Sequence, residues 1–236
     1  VAGPRLHLIL LAGGQGRRAG GGDDVPKQFR STGRGPLFRV SLDAFLTLDP
    51  ATGFCPSDLV LAVAEPWAAP AENALDVLDI PWTTAPAGTT RTASTWNALT
   101  RLSDRFDPEP ADLVAVHDAA RPFASADLLL RVARAATRSG GAVPGIPVPD
   151  TIVQTGKEGA VYLDRTSLSA VQTPQVFRWD TFHQAHAWAA ESGAEFTDDG
   201  GLMALRGHPP EVITGEQANW KVTTLVDWRR AESLLK

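Results

Sequence analysis

The sequence predicts an α/β fold: a mostly parallel, twisted sheet with helices on both faces and a projecting β-hairpin arm. Three observations carry that expectation. Unbroken apolar runs of strand length alternate with segments of helical periodicity, polar residues collect just after the apolar runs, and the rhythm becomes a hairpin pattern between Asp150 and Val176.

In chain order, Leu6–Leu11 is the first apolar run and opens into a glycine-dense segment. Leu59–Ala64, between Pro56 and Pro66, and Leu113–His117, ending at Asp118, are the second and third. Between them Ser94–Leu102 spaces Trp96, Leu99 and Leu102 helically, and Ala126–Thr137 is rich in strong helix formers. Strands buried on both faces have this continuous apolar character, and ligands bind such sheets beyond the carboxyl ends of the strands. Thr151–Gln154 and Val161–Leu163 flank Thr155–Gly159 as a hairpin. A lone hairpin cannot bury two faces, so it is expected to pack against a second subunit. Helical signals follow at Trp179–Glu191 and Asp198–Arg206, then a strand at Glu211–Thr214 and a terminal helix from about Leu225. Gly200 and Gly201 each cost ~1 kcal/mol relative to alanine, so a break in the second of these helices is expected.

The chain of 236 residues suffices for one large domain, with 150–172 as a protruding arm. Its formal net charge of −5 argues against nucleic acid as the main partner, because phosphate backbones require a basic face. An anionic ligand must then be met by local charge. The single cysteine, Cys55, precludes an intrachain disulfide. No apolar run reaches membrane-spanning length and the N-terminus lacks a signal-peptide pattern, so a cytoplasmic location is expected. The numbering opens on Val1 rather than Met, in keeping with a removed or untaken segment before it.

The glycine-dense segment is the strongest local signal. Gly13, Gly14 and Gly16 permit close backbone approach to a ligand, Arg17 and Arg18 follow, and Lys27 lies beyond. No Gly-Lys-Ser/Thr completes a P-loop, and the dinucleotide fingerprint is matched only in part, with arginines where a helix would press on the sheet. The segment therefore reads as a polyphosphate grip, with a plain surface loop as the bland alternative. Of the basic residues only four are lysines, Lys27, Lys157, Lys221 and Lys236. Lys27 and Lys221 fall in phosphate-binding contexts, where a compact ammonium acts as a point charge. At the end of the third strand, Asp118 suits a metal or a hydroxyl and Arg121 a phosphate; an Asp118–Arg121 ion pair is the alternative. His117 is expected to orient the strand end. His183 and His186 share a helix face without further ligands nearby, and the seven tryptophans read as core or subunit-contact residues.

Taken together, Gly-x-Gly-x-Arg with a later Pro-Lys-Gln, VHDAARPF at 116–123, Asp150-Thr151, QTPQ at 172–175, TDD at 197–199 and NWKVT at 219–223 occur in the order seen in the sugar-phosphate cytidylyltransferases. The chain resembles that family over nearly its whole length. The resemblance implies a Rossmann-like nucleotidyltransferase fold and CMP transfer from CTP to 2-C-methyl-D-erythritol 4-phosphate, with release of pyrophosphate. Mg2+ or another divalent cation is implied as cofactor, and a homodimer through the arm. Ribitol 5-phosphate is the alternative acceptor. A nucleotide-sugar-dependent glycosyltransferase or a nucleotide-binding regulator is more distant, since His117-Asp118-Ala119 lacks Asp-x-Asp.

Carried over residue by residue, the resemblance places the triphosphate on Leu11, Ala12, Gly13, Gly14, Gly16 and Arg18. Arg18 and Lys27 would stabilise charge at the α-phosphorus. Gly88, Thr89, Arg91 and Ser94, with Ala87, would surround the cytosine. Asp118, Ala119 and Arg121 would contact nucleotide, metal or acceptor, with Asp118 the metal ligand. Lys221 and Arg165 would position the acceptor phosphate, assisted by Thr151 and Thr173, and Thr151 and Arg165 would serve the neighbouring subunit. A phosphate monoester is largely dianionic at neutral pH and needs no general base, so lysine, arginine and a metal suffice for the chemistry. Three departures from the family pattern stand out: a longer, acidic Gly20–Asp24 stretch, Ala87-Gly88-Thr89 where an acid often follows paired glycines, and Gly200 and Gly201 where residues usually continue a helix.

Overall fold

The computed structural model describes residues 3–14, 25–156 and 159–236. Its strands are β1 (Leu6–Leu11), β2 (Ser31–Thr32), β3 (Gly35–Pro36), β4 (Pro56–Val63), β5 (Trp82–Pro86), β6 (Leu113–Asp118), β7 (Gly141–Pro147), β8 (Val153–Gly156), β9 (Gly159–Tyr162), β10 (Ser169–Val171), β11 (Gln175–Arg178) and β12 (Glu211–Thr214). Its α-helices are α1 (Leu37–Phe45), α2 (Ala68–Leu75), α3 (Arg91–Phe106), α4 (Ala126–Ser139), α5 (Trp179–Ser192), α6 (Asp199–Leu205) and α7 (Leu225–Leu234).

The main sheet runs β10-β7-β11-β6-β1-β4-β5, with β12 also on β7. β1 pairs in parallel with β4 and β6, β4 with β5, and β12 with β7. β11 is antiparallel to both β6 and β7, and β10 to β7. The sheet is thus parallel at its centre, and β11 is inserted between the two parallel strands that α4 connects. Sequence alone did not mark β5, β7 or β11. β7 reads GAVPGIP, and its prolines and glycines argue against a strand until neighbours supply the pairing.

Alternation along the central strands divides the core. Leu8, Leu10, Leu59 and Leu61 face α1, α2 and α4, where Phe38, Phe45, Leu75 and Leu128 meet them. Ile9, Val60, Val114 and Val116 face α3, α5 and α6, against Leu99, Leu102, Phe182 and Leu202. Each fully buried aliphatic side chain contributes about 1.5–3 kcal/mol, so these two layers hold the fold. A third, smaller cluster seats Trp228 and Ala231 of α7 on Leu37 and Val222, fixing the segment before α7 beside the start of α1.

Two expectations are corrected. α6 is unbroken across Gly200 and Gly201: the Asp198 side chain caps it by accepting from Gly201 N, and Gly200 N donates to Gln175. A Cβ at Gly200 would meet Val143 and Asp198 at 3.2 Å, so packing against β7 favours the glycine that propensity disfavours there. The hairpin is present, but its strands are shifted by about two residues from the expected bounds, with Val153 opposite Tyr162 and Gly156 opposite Gly159. Ser169–Val171, at the end of the expected arm, has already rejoined the main sheet.

Candidate active site

A cleft of about 590 Å³ opens at the carboxyl ends of β1, β5 and β6. It is lined by Leu11, Gly13, Gly14, Lys27, Gln28, Gly88, Thr89, Thr90, Arg91, Ser94, Asp118, Ala119, Ala120, Lys221 and Thr223. Strands β1 and β6 are paired in register through Leu11 and Asp118, so the sheet itself brings the glycine turn and the acid side by side.

Close packing builds the two walls. A Cβ at Gly13 would lie 2.3 Å from Ala87 Cβ, and one at Gly88 would lie 2.5 Å from Ala93 Cβ and 2.9 Å from Ser94 N. Only glycine lets these two loops meet. Gly14 has nothing within 4 Å of that position among the described residues. Gln28, buried just after Lys27, donates to Ala12 O and Gly14 O, both at 2.6 Å, and pins the turn. Opposite, the Ser94 hydroxyl accepts from Gly88 N at 3.0 Å and donates to Thr90 O at 2.8 Å, while Thr90 caps α3. Ser94 therefore braces the loop.

Charge converges between these walls. Lys221 Nζ lies 2.6 Å from Asp118 Oδ2, and Arg91 Nε 3.4 Å from Asp118 Oδ1. Arg91 reaches the other way to Asp199, Nη1 to Oδ2 at 2.7 Å. Lys27 Nζ donates to Val222 O, which brings the first lysine next to the segment carrying the second. Burial alone would push the Asp118 carboxyl up; Arg91 and Lys221 outweigh it and hold the group well below the usual carboxylate range. Asp118 is ionised and has two cationic partners.

A hydrogen-bonded chain sets the orientation of Asp118. His117, fully buried, donates from Nε2 to Arg121 O at 3.0 Å, which leaves Nδ1 to accept from the Thr173 hydroxyl at 3.0 Å. Thr173 Oγ1 in turn accepts from Asp118 N at 3.0 Å. Burial pushes the His117 pKa down to about 4, so the ring is neutral and fixed in one tautomer. This is the orienting role expected of it.

Several expected site residues lie elsewhere. Arg121 sits behind the cleft lining and donates to Asn219 O at 2.8 Å; the charged partners of Asp118 are Arg91 and Lys221, so the alternative Asp118–Arg121 ion pair is replaced. Ala12 and Thr173 are buried supports. Thr151 and Arg165 are outside the lining, with Arg165 exposed and donating to Pro149 O. Gly16 and Arg18, with the acidic Gly20–Asp24 stretch and Lys157, lie outside the described residues. The residues that sequence reasoning missed are supports: Gln28, Thr223, His186 and Asp199. Gln28 and Asp199 stood inside the Pro-Lys-Gln and TDD strings, but nothing in those strings revealed their partners.

Fold and cleft together define an α/β protein of the nucleotidyltransferase class, with basic groups gathered at the strand ends. The chain belongs to the IspD family, 2-C-methyl-D-erythritol 4-phosphate cytidylyltransferase, which it matches over residues 6–236. It is similar to the bifunctional enzyme IspD/IspF of Rhodopseudomonas palustris (strain BisA53), 38% identical over 243 residues covering 98% of this chain and 56% of the relative. The protein of the same description from Bradyrhizobium diazoefficiens is 37% identical, with the same coverage. The chain thus spans about half the length of the curated relatives it matches. Among solved structures, 2-C-methyl-D-erythritol 4-phosphate cytidylyltransferase from Thermus thermophilus superposes with a TM-score of 0.72 at 31% identity, covering 98% of each chain. The 4-diphosphocytidyl-2C-methyl-D-erythritol synthase of Anaerococcus prevotii shares the fold, with a TM-score of 0.81 at 22% identity over 98% of this chain and 96% of that one.

Proposed function

We propose that this chain transfers CMP from CTP to 2-C-methyl-D-erythritol 4-phosphate, releasing pyrophosphate. The observation that carries the reading is the convergence of Lys27, Lys221 and Arg91 on one cleft beside the glycine turn, with no nucleophile or general base required. Attack by one anion on another needs alignment and charge neutralisation, and cations fixed in the cleft supply both. Lys27 stabilises the α-phosphorus as charge builds there, joined by Arg18. Lys221, now on Asp118, is within reach of a phosphate that replaces the carboxylate as its partner. Leu11, Gly13 and Gly14 line the triphosphate path, and Gly88 and Thr89 face the base.

A divalent cation fits this donor set in one mode. Magnesium is commonly held by one or two carboxylates plus substrate phosphates, and Asp118 is the only carboxylate in the cleft lining among the described residues. Bound there with the nucleotide, the ion would neutralise phosphate charge. No group of three or more protein ligands occurs among the described residues, so the nucleotide would have to complete the shell.

The chain is read as one nucleotidyltransferase domain acting as a homodimer, with the β8–β9 arm reaching its neighbour. Tyr162 and Val161 on the arm are 74% and 60% exposed, a poor arrangement for a hairpin left in solvent. Thr151 and Arg165, outside their own cleft lining, would serve the partner's.

Purified protein incubated with each of the four nucleoside triphosphates, Mg2+, and either methylerythritol phosphate or ribitol 5-phosphate tests the reading. Pyrophosphate release is expected with CTP and the former acceptor. Its absence there, or preference for ribitol 5-phosphate, would sink the assignment.

A further inference from the structure

Asp199 is 1% exposed, yet its carboxylate lies outside the lining of the cleft. Its two oxygens face two groups: Oδ2 is 2.7 Å from Arg91 Nη1, and Oδ1 is 3.1 Å from His186 Nε2. His186 is equally buried, edge-on to Phe182. Burying a carboxylate is costly even when it is paired, and a buried ion pair is better at fixing geometry than at adding stability. The geometry it fixes is that of Arg91. That guanidinium touches Asp118 only at 3.4 Å, so the shorter contact, to Asp199, is its anchor. Reciprocal bonds between Thr92 and Phe196, at 2.9 and 3.2 Å, tie the start of α3 to the loop leading into α6 and keep anchor and arginine in step.

We propose that Asp199, oriented by His186, is a positioning residue that holds Arg91 as the permanent counter-charge of Asp118, leaving Lys221 free to exchange Asp118 for a ligand phosphate. Without a fixed Arg91, departure of Lys221 would leave Asp118, buried, with no ion-paired side chain among the described residues, and the exchange would be opposed before any cation arrives with the nucleotide. With it, one cation stays and the other leaves. The inference rests on the cytidylyltransferase reading, because the phosphate that Lys221 meets is the substrate's.

The test is a double-mutant cycle on kcat/KM for CTP-dependent pyrophosphate release, using Asp199→Asn and Arg91→Ala, with thermal unfolding of every variant. Each single change is expected to lower kcat/KM by about tenfold or more, and the double variant to fall within about twofold of Arg91→Ala alone. Effects that multiply, or an Asp199→Asn enzyme within about twofold of wild type, would overturn the proposal. A second pair keeps the chain of contacts testable should Asp199→Asn not fold. His186→Gln places an amide N–H where Nε2 stands and is expected to retain activity, whereas His186→Leu loses it; equal activity of the two would remove His186 from the account. A wild-type enzyme that releases no pyrophosphate under any condition would instead refute the underlying activity, so the two failures are distinguishable.

Discussion

At the scale of single residues, the proposed transfer depends on cations held by identifiable partners. Lys27→Ala and Lys221→Ala are each expected to lower turnover by about 100- to 1000-fold, the usual cost of losing one preorganised charge donor, with little change in thermal unfolding. Steady-state kinetics beside a melting curve checks both. His117 makes a different prediction. Its folded pKa of about 4 lies below the unfolded value, so the unfolded chain takes up a proton first as pH falls, and stability present above about pH 6.5 is lost on the way down to about pH 4. At pH 5 the loss from this ring is about 2 kcal/mol relative to pH 8. Urea unfolding across pH 8 to 5 should show that slope, and His117→Gln should flatten it. An unchanged slope in the variant would mean that another group is responsible.

At the scale of elements, the glycine turn after β1 separates two roles that look alike in sequence. Gly13 is required by its neighbour, since a side chain there would collide with Ala87, whereas a Cβ at Gly14 would meet nothing within 4 Å among the described residues. Gly13→Ala is therefore expected to destabilise the fold by about 1–3 kcal/mol, as overpacking does. Gly14→Ala should leave stability nearly unchanged and act on CTP affinity. Denaturant midpoints and calorimetric CTP binding separate the two; equal destabilisation would contradict the assignment. Elements also show where sequence reading stops. β1, β6 and β12 were legible because their apolar or β-branched runs are intrinsic, and α3 and α4 because of their periodicity and helix-forming residues. β7 was not, because GAVPGIP becomes a strand only when β10, β11 and β12 pair with it. α6 was misjudged for the same kind of reason: a cap at Asp198 and close packing on Val143 outweigh the poor helix propensity of two glycines.

At the scale of the whole molecule, the proposed dimer would make the arm of one subunit part of its partner's site. A mixture of Arg165→Ala and Lys27→Ala subunits should regain activity if each site draws Arg165 from its partner, because one of the two composite sites is then intact. Absence of rescue in confirmed heterodimers would count against sharing. Tyr162→Asp should shift sedimentation toward monomer if the exposed hairpin is the contact. The sequence by itself determined the parallel centre of the sheet, the placing of a basic cleft at its carboxyl edge, and Lys27, Lys221 and Asp118 as three of the four charged residues in the described lining, because apolar runs, helical periodicity and strand-end motifs are local properties. Only the tertiary structure decided the partners. Arg121 turned out to brace Asn219 and Arg91 to bridge Asp118 and Asp199 across residues far apart in the chain, because which charge meets which carboxylate depends on the register of strands and the packing of helices, and no spacing along the chain encodes that.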